Sequence, residues 1–324
     1  MKAIVFDQPG DADVLRYADA PDPQPGAGEL LVRVRASAVN RADILQRRGG
    51  YSPPPGASAI LGLELAGEVA EDAGEWRAGD RVMAVVTGGG YAELAAVPVG
   101  MAIRIPAQFG FEQAAAIPEA FLTAYLNLFT LGRLKAGEIV LIHAGASGVG
   151  TAAIQLARAA GARVFATAGA AAKLELCRAL GAELAINYKT EAFAERVAEA
   201  SGGQGANLVL DFVGAPYWEA NMAALAPYGR LMLIGFLGGS RGALDIGAIL
   251  GKSLTVAGTT LRRTPLDQKV ALTRAFAEFA LPRFASGELR PVIDRTFDLA
   301  DAADAHRYVE SNASAGKVVL KVGV

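Results

Sequence analysis

Cysteine and histidine are nearly missing from this chain of 324 residues, which has one Cys, at 177, and two His, at 143 and 306. A single thiol excludes an intramolecular disulfide and a cysteine-rich zinc cluster. A catalytic zinc takes about three protein ligands. Cys177, His143 and His306 lie far apart in the sequence and assemble no ligand set, so no functional metal is expected. His143 ends an apolar strand and reads as a core histidine with satisfied nitrogens, His306 as a surface residue, and Cys177 as a small core hydrophobe. An excess of charge of one sign is also missing. Lys and Arg number 31 against 33 Asp and Glu, a net charge of −2, which gives no electrostatic case for nucleic acid. No long apolar run is free of glycine or polar breaks, so none reads as a membrane span. Met1–Ala20 mixes charge, proline and apolar residues and does not read as a signal peptide. A soluble, cytoplasmic protein is expected.

What the chain does have is 52% hydrophobic residues and 38 glycines, at a length that suggests two domains. Its organising stretch is Ile139–Gly150, Ile-Val-Leu-Ile-His-Ala-Gly-Ala-Ser-Gly-Val-Gly. The apolar, β-branched start reads as a buried parallel strand. The run breaks at Ala144–Gly145, and the alanine-rich Thr151–Ala160 suits a packed helix. Strand, glycine-rich turn and helix form the context in which glycines mark a dinucleotide site. Small residues admit a pyrophosphate, and the free N–H groups at the helix start favour its charge. Gly145, Ser147 and Gly150 take the three fingerprint positions, Ser147 replacing the middle glycine and offering a hydroxyl, and Gly148 adds room. A tight turn without a ligand is the alternative.

Before this stretch the chain reads as mostly β. Strands are expected at Met1–Phe6, Glu29–Ala38, Leu61–Val69, Arg81–Val86 and Tyr91–Ala96, with Asp7–Gly28 largely turns and one or two helical turns at Asn40–Arg48. A helical stretch runs from Pro118 to Leu131. Strands then alternate with helices: strands at 139–143, 163–167, 183–186, 207–212, 230–234 and 253–259, helices at 148–160, 171–180, 190–200 and 217–225. Such alternation predicts an α/β fold with an open, Rossmann-type parallel sheet. The last segment, helix Leu266–Ser286, strand Val292–Phe297, helix Ala300–Glu310 and strand Lys317–Val322, is read as rejoining the first domain. An active site is expected in the cleft between the domains, at the C-terminal ends of the parallel strands.

In the NAD version of this fold an acid about 20 residues after the turn binds the ribose 2′-hydroxyl. Here the second strand ends in Ala168-Gly169-Ala170-Ala171-Ala172-Lys173, without an acid. Lys173 would attract a 2′-phosphate, and Tyr188 could supply a hydroxyl to it. The absent acid and the present cation favour NADPH over NADH, although a solvated lysine is the commoner case for any one residue.

These residues together resemble the medium-chain dehydrogenase/reductase superfamily, in its zinc-free, zeta-crystallin-like quinone oxidoreductase branch. The likeness extends to the tumour-suppressor-inducible members of that branch in animals. It covers nearly the whole chain and is carried by Asn40-Arg41-Ala42-Asp43, Tyr51-Ser52-Pro53-Pro54-Pro55-Gly56, Ala114-Ala115-Ala116-Ile117-Pro118-Glu119-Ala120, Leu122-Thr123-Ala124, the Ile139–Gly150 stretch, Asn187-Tyr188-Lys189 and Gly316-Lys317-Val318-Val319-Leu320. The resemblance implies NADPH, a homodimer, a GroES-like catalytic domain from residues 1–121 and 262–324, and an NADPH-binding domain over 122–261; Ser253–Thr259, read as the edge strand of the sheet, places the dimer contact on the cofactor domains. It implies Ser147 and Val149 at the phosphates and Gly169, Lys173 and Tyr188 at the adenosine end. It also implies Asn40, Tyr51 and Thr123 near the nicotinamide, with the backbone of Phe236 and Leu261. Relatives often place a serine where this chain has Ala170, and where zinc relatives carry Gly-His-Glu this chain has Gly62-Leu63-Glu64.

Without a Lewis acid to hold an alkoxide, alcohol oxidation is disfavoured as the main activity. Hydride donation to a quinone or enone, which delocalises the incoming charge, needs only alignment, water exclusion and a proton or hydrogen bond. Tyr51 can donate one, and Asn40 can orient substrate or cofactor through its amide. Their spacing resembles that in zinc-free enoyl reductases of the same superfamily, where the tyrosine is the proton donor, so enone or enoyl reduction stands beside quinone reduction. Lys317 could reach the cleft, with an exposed lysine at a strand start as the alternative, and is left out of the catalytic set; Asp43 reads as a structural residue whose buried hydrogen bond fixes the Asn40 turn. A non-catalytic, crystallin-like or RNA-binding role is the reading of another class. The intact turn argues against a purely structural role, and the acidic pI argues weakly against RNA binding.

Overall fold

The computed structural model describes residues 1–323. In chain order the strands are β1 Lys2–Val5, β2 Arg16–Asp19, β3 Glu29–Val39, β4 Glu64–Val69, β5 Arg81–Val85, β6 Leu94–Pro98, β7 Ile103–Arg104, β8 Ile139–Ile142, β9 Arg163–Ala168, β10 Leu184–Asn187, β11 Ala206–Asp211, β12 Leu225–Leu233, β13 Thr255–Gly258, β14 Ile293–Asp298 and β15 Lys317–Lys321. The α-helices are α1 Arg41–Arg47, α2 Phe111–Ala115, α3 Pro118–Tyr125, α4 Gly148–Ala159, α5 Ala171–Leu180, α6 Phe193–Ala200, α7 Trp218–Ala224, α8 Ile246–Lys252, α9 Leu266–Ala285 and α10 Ala302–Glu310. Two units result. Unit one is Met1–Leu122 with the segment from Arg262 onward, and unit two is Thr123–Leu261.

Unit one is built on a seven-stranded sheet of order β14-β15-β3-β4-β5-β7, with β6 also paired to β3. The strand β3 is its axis because it carries three pairings, and their register decides what collects at its C-terminal end. Val39 opposes Val318 of β15, and Ser37 opposes Leu65 of β4. Asn40, Lys317 and Glu64 therefore come together, although they are far apart in sequence. The region between Asp7 and Gly28, expected to be largely turns, contains β2, which pairs antiparallel with β1. Its alternating Arg16-Tyr17-Ala18-Asp19 is mostly exposed, so it lacks the apolar face that marks a strand in sequence.

Unit two is a six-stranded parallel sheet of order β10-β9-β8-β11-β12-β13, the Rossmann-type arrangement expected, with β13 at one edge. Leu141, Phe165, Ile186, Val209 and Leu231 come from five neighbouring strands and are all fully buried in one cluster. Three local expectations need correction. The helix from Pro118 stops being α at Tyr125 and continues as a π-helix over Leu126–Thr130. The strand placed at 230–234 starts at Leu225 and passes Tyr228 at φ 61°, a left-handed residue inside a strand that pattern reading takes as an end. The helix α8 was not expected: only Ala248 and Ile249 of it pack on the core, while Ile246, Leu250 and neighbouring Leu244 are exposed and blur the apolar phase.

Candidate functional site

In unit two the strand β8 delivers the chain into a turn held by short backbone bonds. Gly145 N–H donates to the Thr167 carbonyl at 2.9 Å and Ser147 N–H to that of Ala144 at 2.8 Å. Ala144 adopts φ 47°, a strained value for a residue with a side chain. A Cβ on Gly145 would lie 2.9 Å from Cys177 Sγ, and one on Gly150 only 2.3 Å from the Ala144 carbonyl oxygen. Both glycines are thus required by the turn itself. Ser147 is the N-cap of α4, its Oγ accepting the Gly150 N–H at 3.0 Å. One lone pair of the hydroxyl oxygen is therefore engaged as a cap, and its proton remains available to a phosphate oxygen. The other N–H groups of the first turn, on Gly148 and Val149, have no acceptor within the helix. They present the positive end of the helix dipole, which fits a pyrophosphate. Gly169 follows β9, and the Tyr188 hydroxyl stands where its Cβ would be, at 2.7 Å. Lys173 sits in the first turn of α5, and Tyr188 is 45% exposed.

His143, at the end of β8, is the satisfied core histidine expected. Thr167 Oγ1 lies 3.0 Å from Nδ1, and Nε2 is 2.8 Å from the Asn221 amide oxygen. Burial drives its pKa down to about 4, so the ring is neutral. Cys177 is buried, and burial pushes its thiol up to about 11, which leaves it unreactive. Thr123 and Leu261 are buried in unit two, and Phe236 is 54% exposed in the loop after β12.

Unit one holds a buried charged cluster that the sequence reading did not anticipate. Glu64, with no exposed surface, accepts from Lys317 Nζ at 2.6 Å and Asn40 Nδ2 at 2.8 Å on one oxygen, and from the Glu119 N–H at 2.9 Å on the other. Lys317 also donates to Asn40 Oδ1 at 2.7 Å. It is 4% exposed, so the reading of an exposed lysine at a strand start is corrected: the register of β15 against β3 turns it inward. Both hydrogens of the Asn40 amide are spent inside the protein, on Glu64 and on the Ala38 carbonyl at 3.2 Å. Asp43 fixes the Asn40 turn as expected, accepting the Asn40 N–H at 2.8 Å and the Gly62 N–H at 3.1 Å. Burial nonetheless raises its pKa to about 6.

His306 is the second correction. It has no exposed surface. Arg47 Nη1 lies 3.3 Å from its Nδ1 and the Tyr91 hydroxyl 3.2 Å from its Nε2. Burial, then the Arg47 charge, lower its pKa to about 3. An arginine can only donate, so Nδ1 accepts, Nε2–H donates to the Tyr91 oxygen, and the Tyr91 hydroxyl donates onward to Asp43 at 3.2 Å. The apolar positions of α10 point it inward, a phase visible only once its partners are known.

Tyr51 is partly buried, with the Arg262 guanidinium 5.3 Å from its ring centroid. Its hydroxyl has no hydrogen-bond partner among the described residues. Burial, then the Glu119 carboxylate, raise its pKa, so it is a phenol at neutral pH and can donate. Glu119 is crowded by Glu64, and burial followed by that charge pushes it up to about 8. A carboxyl whose folded pKa exceeds its unfolded one costs stability as pH rises from the unfolded value of about 4.5 to the folded value of about 8. Glu119→Gln is expected to remove that loss: its melting temperature should match the parent at the acid end of the window and exceed it at the alkaline end. A constant difference across the window would show that Glu119 ionises freely.

These sites sit on folds with known counterparts. Residues 26–107 match the alcohol dehydrogenase GroES-like domain and residues 148–278 a family described as zinc-binding dehydrogenase. The chain is 36% identical over 325 residues to the quinone oxidoreductase of Pseudomonas aeruginosa strain PAO1, covering 98% of this chain and 99% of that one. The structure of Escherichia coli quinone oxidoreductase complexed with NADPH aligns with TM-score 0.90 and 31% identity, over 99% of this chain and 100% of that one. CurK enoyl reductase aligns with TM-score 0.88 and 28% identity over 99% of each chain. Fold and turn define a two-unit oxidoreductase of the NAD(P)-binding type. The chain belongs to the medium-chain dehydrogenase/reductase superfamily, in its quinone oxidoreductase branch.

The zinc in one family description does not fit these residues. Both His143 nitrogens, both His306 nitrogens and both Glu64 oxygens are engaged by protein partners. Among the described residues no group of three or more His, Cys, Asp or Glu is placed to hold a metal.

Proposed function

We propose that this chain is an NADPH-dependent, zinc-independent reductase of quinones and related conjugated carbonyls. The observation that carries the reading is the β8–α4 turn, whose strained Ala144, obligatory Gly145 and Gly150 and Ser147 cap make a cradle for a pyrophosphate. When bound, the reduced nicotinamide supplies a hydride. Gly145, Ser147, Gly148, Val149 and Gly150 hold the phosphates, Gly169, Lys173 and Tyr188 the adenosine end, and Thr123, Phe236 and Leu261 the nicotinamide end. Tyr51 donates a hydrogen bond or proton to the acceptor oxygen. Asn40, whose amide hydrogens are committed to Glu64 and Ala38, contributes a fixed edge with one free carbonyl lone pair. Loss of reduced-nicotinamide absorbance on mixing with a quinone panel tests the reading. Silence across the panel would overturn it, and NADPH binding without turnover would favour the non-catalytic class. Enone or enoyl reduction is the second reading, favoured by the unpartnered Tyr51 phenol and the likeness to an enoyl reductase.

Lys173→Ala is expected to raise the Michaelis constant for NADPH and leave that for NADH nearly unchanged, because only NADPH carries the 2′-phosphate. Equal losses for both cofactors would remove the assignment. The absence of a serine at Ala170 makes the preference for NADPH weaker than in relatives that carry one. We also propose a homodimer through unit two. Among the described residues the edge strand β13 has no partner on one side, and Leu244, Ile246 and Leu250 nearby in sequence are 62%, 64% and 75% exposed. Light scattering should report about twice the chain mass of 33.4 kDa. Val256→Pro should lower it by removing a ladder hydrogen bond. A monomeric parent would overturn the dimer.

A further inference from the structure

A chain of buried hydrogen bonds crosses unit two at the C-terminal ends of β9, β8 and β11. Asn221 of α7 sits at its centre. Its amide oxygen can only accept, so His143 Nε2–H donates to it at 2.8 Å. Burial holds the pKa of His143 at about 4, so the ring is neutral and Nδ1 accepts from Thr167 Oγ1 at 3.0 Å. On the other side Asn221 Nδ2 donates to Asp211 Oδ2 at 3.0 Å. Thr167, His143, Asn221 and Asp211 are each at most 1% exposed. At this burial a broken link leaves a polar group unsatisfied, so the order of donors and acceptors is fixed along the whole chain.

Each end of the chain holds backbone that the reductase reading gives to the cofactor. At one end the Thr167 carbonyl accepts the Gly145 N–H at 2.9 Å, and His143 directly precedes Ala144, whose φ of 47° starts the turn. At the other end Asp211 Oδ1 accepts the N–H of Val213 at 2.6 Å and of Gly214 at 3.2 Å. The Asp211 carbonyl accepts from Ile234 at 2.8 Å and Gly235 at 3.3 Å. The N–H groups of Leu237 and Gly238 then donate to the Phe212 and Val213 carbonyls, at 3.0 and 2.8 Å. The loop that carries Phe236 is thus tied through Asp211, Asn221 and His143 to the turn after β8.

We propose that His143, Asn221 and Asp211 are positioning residues that set the spacing between the phosphate turn after β8 and the loop after β12, and so favour a ligand that spans both. Side chains behind a site fix it in this way when their own bonds are saturated. The proposal rests on the reductase reading, which gives both loops to one dinucleotide, and adds to it three residues that touch no part of the ligand.

Calorimetric titration of the full chain with two ligands tests the spacing. NADPH spans both loops, whereas adenosine 2′,5′-bisphosphate reaches only the turn and the adenosine end. Asn221→Asp keeps the size of the side chain but sets a carboxylate against Asp211. It is expected to weaken NADPH by about tenfold or more, the scale of a lost charge-assisted hydrogen bond, and the bisphosphate by a clearly smaller factor. His143→Phe keeps a ring against Phe193 and Tyr217, removes both side-chain bonds, and should show the same split. The ratio of the two affinities is read on each variant, so a loss of folded fraction, which lowers both alike, does not enter it. Combining Asn221→Asp with Asp211→Asn should restore the parent ratio. The new carboxylate then accepts from His143 and from the new amide, whose oxygen still serves Val213 and Gly214. Equal losses for the two ligands, unchanged NADPH binding in both single variants, or an unrestored ratio in the double variant would overturn the proposal and leave the reductase reading standing. A parent that binds neither ligand would overturn that reading, and the spacing with it.

Discussion

Replacing Lys317 by methionine is expected to destabilise the protein by about 3–5 kcal/mol, the range for breaking a buried ion pair by removing one partner. The parent pair is 2.6 Å apart, with side chains 4% and 0% exposed, so solvent screens it little. Without the ammonium, Glu64 keeps only the Asn40 amide and the Glu119 N–H to hold its charge. Three bonds are lost at once, since Nζ also serves Asn40 Oδ1 and the Val39 carbonyl. Urea unfolding should show a lower midpoint with an unchanged slope. Adding Glu64→Gln to Lys317→Met removes the stranded charge and should recover a large part of the loss. A loss below about 1 kcal/mol would mean that the pair is no stronger than a surface salt bridge. It would then not be what fixes Asn40.

That cluster also marks where sequence reading stops. The parallel sheet of unit two was legible because its strands β8 to β11 are short apolar runs each followed by a helix, and the turn after β8 because its glycines sit between strand and helix. Both are local patterns. The Glu64–Lys317 contact joins residues 253 positions apart, and only the pairing of β3 with β4 and β15 creates it. One local signal was available: an acid inside the apolar run Leu61-Gly62-Leu63-Glu64-Leu65-Ala66 must be paired if the strand is buried. It announces a partner without naming it. His306 was misplaced for the same reason, as Arg47 and Tyr91 reach it from distant segments. Arg262 looks like an ordinary loop cation in the sequence, and only the burial of its unpartnered Nη1 sets it apart.

On the role proposed for Tyr51, Tyr51→Phe is expected to lower turnover while leaving cofactor affinity unchanged, because a hydroxyl in that role acts as charge builds on the acceptor oxygen. The substitution keeps the ring, and with it the Arg262 contact at 5.3 Å, so the loop should hold its place. General acid assistance is commonly worth about 10²–10⁴-fold. A reduced quinone is already a stable anion, so its loss should fall at or below the low end. An enone yields a more basic enolate, whose need for a proton should place its loss higher in the range. The raised pKa of Tyr51, caused first by burial and then by the Glu119 carboxylate, keeps the phenol protonated through neutral pH. The parent rate on an enone should accordingly show no titration of Tyr51 near neutrality. Steady-state rates of parent and variant on one quinone and one enone, at saturating NADPH, therefore test the role and rank the substrate classes together. Unchanged turnover on both would make Tyr51 a wall of the acceptor site and assign the proton to water or a ribose hydroxyl.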